Sequence, residues 1–203
     1  MRLLLDSDAF CKLALARLLN ETLDMFGVRT KQCGRLPALP HMLRRGSLRR
    51  SYGDTNADNL VPIASSIPGA PSAGAKWLDV LARVEEIDPG EALLIALAAE
   101  RSAYLISGDK RALGALKGLA ELPEMLRGRI VTVEAVLLAL CGRLGVDEVR
   151  SRIAPVIPHD KTISVVFSPD NKDPRAALLS YHQDMVNNHG PLVFWDPLAG
   201  GAA

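Results

Sequence analysis

Leu3-Leu4-Leu5-Asp6-Ser7-Asp8 is a short apolar run that stops abruptly at carboxylates, and Ala103-Tyr104-Leu105-Ile106-Ser107-Gly108-Asp109 repeats that form far downstream. Apolar runs of this length, bounded by polar or Gly residues, read as buried strands of a parallel sheet. In open parallel sheets, ligands gather beyond the carboxyl ends of the strands. Two strands are therefore expected to deliver Asp6 and Asp109 to one rim. Between them, Glu91 follows Asp88-Pro89-Gly90 at the head of a strongly apolar helix. Three acids converging with no Lys or Arg at the same strand ends are the pattern of a divalent-cation site.

The rest of the chain alternates strand and helix. Phe10, Leu13, Leu15, Leu18, Leu19 and Leu23 recur at helical spacing over residues 9–25, and Gly27 provides a stop. Residues 28–74 read as an irregular insertion, with a short strand at 28–33, a basic helix at 41–50 and a loop marked by Pro62, Pro68 and Pro71. An amphipathic helix follows at 75–84. Asp88 caps the helix of residues 90–101, Pro89 suits its first turn, and Glu91 complements its positive end. Then come a strand at 104–107, a helix at 110–119, a strand at 128–133 and a helix at 134–144. This order predicts a three-layer α/β/α fold with a mostly parallel central sheet. The main domain is expected over 1–145. Residues 146–203 read as a C-terminal extension, with helices at 147–152 and 174–186 and a short apolar run at 162–167.

The 203 residues suffice for one domain with a sizeable core. Apolar residues at 48% exclude a disordered chain, while aromatics at 4% leave the core to Leu, Ala, Val and Ile. The net charge of +1 is uninformative, but its distribution is not. From Met25 to Gly53 there is no acid, whereas Arg29, Lys31, Arg35, Arg44, Arg45, Arg49 and Arg50 all fall there. Such a block either follows a phosphate backbone or is a solvated loop. Cys11, Cys33 and Cys141 are odd in number and widely spaced, which fits neither a disulfide framework nor a zinc site and suits a reducing cytoplasm. No apolar run approaches the roughly 18 residues that span a bilayer, so no membrane association is expected.

Leu-Leu-Leu-Asp6-Ser-Asp8-Ala-Phe, Asp88-Pro-Gly-Glu91-Ala-Leu-Leu-Ile-Ala-Leu-Ala and Leu-Ile-Ser107-Gly-Asp109-Lys-Arg-Ala-Leu together resemble the PIN-domain ribonucleases. That family includes the toxin components of bacterial toxin–antitoxin pairs. The resemblance covers roughly residues 1–140, with the Glu91 and Asp109 blocks its more telling half. It implies that Asp6, Glu91 and Asp109 are catalytic and bind Mg²⁺ or Mn²⁺. It further implies RNA as substrate, an antitoxin-like protein inhibitor and a homodimer. The family often places a fourth acid beyond the third, where this chain reads Lys110-Arg111-Ala112-Leu113. Asp8 is the expected compensating ligand, and Glu134 a weaker one. Two other readings stay open. One is a PIN-like module whose site has decayed and which binds RNA or protein. The other rests on Asp6-Ser7-Asp8, which is similar to the Asp-x-Asp opening of haloacid-dehalogenase-type phosphatases, with Asp6 as nucleophile and Asp8 as acid/base. Each acid also has a local role: Asp6 and Asp109 cap helices, and Glu91 complements a dipole.

Overall fold

The computed structural model describes residues 1–71, 77–119 and 121–199. In chain order the elements are β1 (Leu3–Leu5), α1 (Ser7–Leu15), α2 (Leu19–Met25), β2 (Cys33–Arg35), α3 (Leu39–Arg45), α4 (Ser47–Tyr52) and α5 (Asp54–Ser66). Then follow α6 (Leu78–Leu81), α7 (Pro89–Arg101), β3 (Tyr104–Ile106), α8 (Lys110–Ala115), α9 (Leu122–Met125), β4 (Ile130–Val131) and α10 (Val133–Leu144). The chain closes with α11 (Val146–Ile153), α12 (Lys161–Val166) and α13 (Pro174–Asn188).

Among the described residues the strands form one all-parallel sheet in the order β2-β1-β3-β4, with Leu4 opposite Gly34 on one side and Leu105 on the other. Side chains alternate across such a sheet. Leu3, Leu5, Ile106 and Val131 therefore enter one buried cluster with Phe10, Leu13 and Leu137 of α1 and α10. Leu4, Leu105 and Ile130 enter the opposite one with Leu94, Leu97 and Leu113 of α7 and α8. Helices cover both faces, giving the three-layer α/β/α arrangement. β1 leads outward to β2, and β3 leads the other way to β4, so the two central strands diverge at their carboxyl ends. A crevice opens at such a switch point, and Asp6 ends the first of these strands.

The expected continuous helix at 9–25 is two helices. Leu18 N donates to Leu13 O (2.8 Å) and Arg17 N to Ala14 O (3.0 Å), closing α1 with Arg17 at φ 55°. The expected strand at 28–33 is displaced: residues 30–32 form a 3₁₀ turn, and the strand is Cys33–Arg35. The helix expected at 41–50 breaks at Gly46, where a Cβ would lie 2.7 Å from Met42 Cα.

The reading of 28–74 as irregular is overturned for its described part, which holds β2 and three helices. Local signals misled because Pro62 suggests a loop, yet it lies inside α5. Both Pro62 and Asp58, four residues earlier, are exposed, so the backbone bond that Pro cannot make is left to water. Ala57, Leu60 and Ala64 turn the other face of α5 into the core. Residues 72–74 of that reading lie outside the described residues. So do 75–76 of the helix expected at 75–84, of which α6 is the part observed. The apolar run at 162–167 is helical, α12.

Residues 146–199 pack into the main layer. Val149, Ile153, Val156 and Leu178 are all fully buried in the cluster that holds Leu3 and Phe10. Arg35 and Arg49 of the basic block are held internally. Arg35 donates to Ala64 O (2.9 Å), Leu36 O (2.8 Å) and Pro37 O (3.0 Å), and Arg49 pairs with Asp54 (2.7 Å) and Asp58 (2.6 Å). Arg44, Arg45 and Arg50 are exposed. The three cysteines are buried and free. Among the described residues no helix is long and apolar enough to cross a membrane.

Candidate functional site

Asp6, Glu91 and Asp109 meet at the crevice. The Asp6 N–H donates to Ile106 O (3.0 Å), which stitches the end of β1 to β3, and its Oδ1 accepts from Ser7 N (2.7 Å) at the head of α1. Glu91 is placed by a capping box: Asp88 Oδ1 accepts from Gly90 N (2.7 Å) and Glu91 N (2.8 Å), while Glu91 Oε2 accepts from Asp88 N (2.8 Å). Asp109 caps α8, accepting from Arg111 N (2.9 Å) and Ala112 N (3.0 Å), and its own N–H donates to Ser107 Oγ (3.3 Å). Every one of these placements is a helix start, so the local capping roles and the convergence are the same fact seen at two scales.

A small cleft of about 10 Å³ beside them is lined by Asp6, Glu91 and Ser107, with Leu94, Leu105 and Leu113 among its walls. That is room for about one water or small ion. Burial in this apolar floor pushes Asp6 up to about 6 against the Ser7 N–H, and the charges of Asp8, Asp88 and Asp109 add to the rise. Burial likewise pushes Glu91 up to about 7; the Asp88 N–H opposes this, and a hydrogen bond to Asp109 reinforces it. Burial acts upward on Asp109 too, but the Ala112 N–H, the Glu91 proton, the Arg111 N–H and the Arg111 charge together hold it below its ordinary value. Glu91 and Asp109 are thus hydrogen-bonded neighbours whose affinities for a proton are driven apart, Glu91 upward and Asp109 downward. The Arg111 guanidinium, largely exposed, lies 4.0 Å from Asp109.

The two expected supplementary acids stand elsewhere. Asp8 accepts from the Tyr52 hydroxyl (2.8 Å) and pairs with Lys12 (2.5 Å), which also reaches Asp160 (2.5 Å). Asp8 thus shares one ammonium with Asp160, and only its charge, through the rise it causes at Asp6, bears on the site. Glu134 sits in the first turn of α10 and does not line the cleft. The residue that sequence reasoning treated only as a cap is Asp88, whose charge bears on both Asp6 and Glu91. The N-cap-to-N3 spacing of Asp88 and Glu91 was the available signal for it.

Three carboxylates beside a Ser hydroxyl are hard oxygen donors of the kind Mg²⁺ or Mn²⁺ accepts. Among the described residues, no three His, Cys, Asp or Glu side chains are spaced to grip one ion. The Glu91 carboxyl accepts from the Asp88 N–H (2.8 Å) and is hydrogen-bonded to Asp109. The donor chemistry fits a divalent cation. No family model, curated protein or solved structure matches this chain.

Proposed function

We propose that the chain is a PIN-type, Mg²⁺- or Mn²⁺-dependent ribonuclease that hydrolyses RNA phosphodiester bonds at Asp6, Glu91 and Asp109. The observation that supports this is the meeting of these three acids at the switch point of a parallel sheet, with two of them pushed toward neutrality chiefly by burial and further by the neighbouring acids. A divalent ion bound there supplies Lewis acidity for the phosphate and lowers the pKa of water. For that, Glu91 releases its proton and the pair with Asp109 opens. Ser107 holds the Asp109 backbone, and Asp6 stays anchored by Ser7 N. Arg44, Arg45 and Arg50, exposed on α3 and α4, supply the charge that an RNA backbone follows. The buried thiols suit a reducing compartment, as a cytoplasmic enzyme requires.

The test is a mixed RNA pool incubated with Mn²⁺ and the intact chain, beside Asp109→Asn and Asp6→Asn. Loss of several kcal/mol of charge stabilisation should slow cleavage at least about 100-fold in either variant. Equal cleavage by wild type and Asp109→Asn defeats the proposal. A second reading, a decayed module that binds RNA without cutting it, is favoured by the absence of a three-ligand group among the described residues. Mn²⁺ separates the two: saturating ion should raise the unfolding midpoint of an active site through mass action and leave the decayed module unchanged. A phosphatase of the Asp6/Asp8 kind is tested by Glu91→Ala, which should spare it and abolish the nuclease.

A further inference from the structure

At the far end of α1 from the carboxylates, a cleft of about 560 Å³ opens between α1, α5 and α11. The nine residues of α1 put it on the order of 13 Å from the acidic rim. Its size falls within the roughly 300–1,000 Å³ of small-ligand sites. It joins the segments whose purpose the sequence left blank, 28–71 and 146–199. Its wall carries Arg17, Asn56, Asn59 and Arg152 together with the apolar Ile63 and Pro155.

Arg17 is the informative residue. The pair of bonds from Leu18 N to Leu13 O and from Arg17 N to Ala14 O is a Schellman closure, and its left-handed position takes Gly most cheaply. This chain instead carries an exposed Arg at φ 55° on the edge of a cleft. An Arg that merely complemented the α1 dipole would do so from the last turn without strain. Backbone strain in a non-Gly residue beside a cavity points to a side chain kept for what it reaches. Arg152 does not duplicate it: its guanidinium is taken by Glu148 (2.6 Å), Glu21 and Arg17 O (3.2 Å). Arg152 faces both acids, whereas no ion pair holds Arg17 among the described residues.

We propose that this cleft binds a nucleoside monophosphate, either free or as the end of an RNA strand. Arg17 presents a planar fork that pairs with a phosphate in two bonds. Asn59 is exposed, and Asn56 uses Nδ2 on Tyr52 O (3.0 Å), leaving its Oδ1 for a ligand. Side-chain amides set a donor beside an acceptor, the complement of a base edge. Ile63, 37% exposed, faces the cleft from α5 and supplies apolar surface for the ring, as does Pro155. The site stands apart from the acidic rim and does not depend on the nuclease reading.

Calorimetric titration of the whole chain with 5′-AMP, adenosine and inorganic phosphate tests this. One saturable AMP site is expected, with adenosine and phosphate each at least about ten-fold weaker. Arg17→Gly should weaken AMP at least about ten-fold while leaving the unfolding midpoint unchanged or higher, because Gly accepts the left-handed backbone. A merely structural Arg17 would not couple those two readouts. Asn59→Ala, an exposed change that leaves the turn intact, should weaken AMP as well. A 5′-phosphorylated oligoadenylate that binds more tightly than AMP assigns the site to a strand end, and a weaker one assigns it to the free nucleotide. No AMP binding at millimolar concentration overturns the proposal. So does phosphate binding as tightly as AMP (an adventitious ion only), or unchanged AMP affinity in both variants.

Discussion

Burial and the neighbouring acids hold the Asp6 and Glu91 carboxyls above their ordinary values, and a cation bound among them would relieve the same repulsion. The consequence for stability has a definite sign. Asp6 and Glu91 titrate at about 6 and about 7 in the native chain, and near 4 when unfolded. Between those limits the native state holds protons that the unfolded state has released, so stability falls as pH rises from about 4 to about 7. Asp109, held low, contributes in the opposite direction, and only at pH below the ordinary carboxylate range. Denaturant unfolding in metal-free buffer should show this decline, and Mn²⁺ should reverse it increasingly toward pH 7.5, since the ion needs deprotonated ligands. Stability that climbs between pH 5 and 7 without metal would contradict the assignment of the raised carboxyls. Asp109→Asn keeps a competent cap but removes a charge from the cluster. Its expected signature is an unchanged or higher unfolding midpoint without metal, together with loss of the Mn²⁺ effect.

At the scale of elements, the site is an assembly of helix starts. Asp88→Ala removes the acceptor for Gly90 N and Glu91 N. It should cost about 1 kcal/mol and release Glu91 from its register at the head of α7, lowering Mn²⁺ affinity as well. Capping of this kind was legible in advance because Asp88, Pro89 and Glu91 act over one turn. The breaks at Arg17 and Gly46 and the persistence of α5 through Pro62 were not, and for α5 it is burial that decides. Leu60 is 1% exposed and faces the core from α5. Leu60→Ala should therefore cost roughly 2–5 kcal/mol by chemical denaturation. A change under about 0.5 kcal/mol, the value of a surface site, would return this segment to the status of a loop.

Across the whole molecule, the regions outside the strand-helix repeat complete the core. The tail returns to the sheet, with Gly128 N donating to Val193 O (2.7 Å) and Trp195 N to Ile130 O (2.8 Å). Val149, Ile153, Val156 and Leu178 fill the face that β1 and α1 present. Truncation to residues 1–145 should consequently leave a chain without a cooperative thermal transition by circular dichroism. A sharp transition in that fragment would show that the tail is dispensable. The alternation of strands and helices, the three acids at strand ends or helix starts, and the caps that set them were readable from the chain alone. All of these arise from periodicity and from interactions within one or two turns. The raised carboxyls of Asp6 and Glu91, the capture of Asp8 by Tyr52 and Lys12, and the helicity of residues 54–66 were decided by folding. Each depends on which groups are brought together and shut off from water, and that is a property of the packed molecule rather than of any stretch of it.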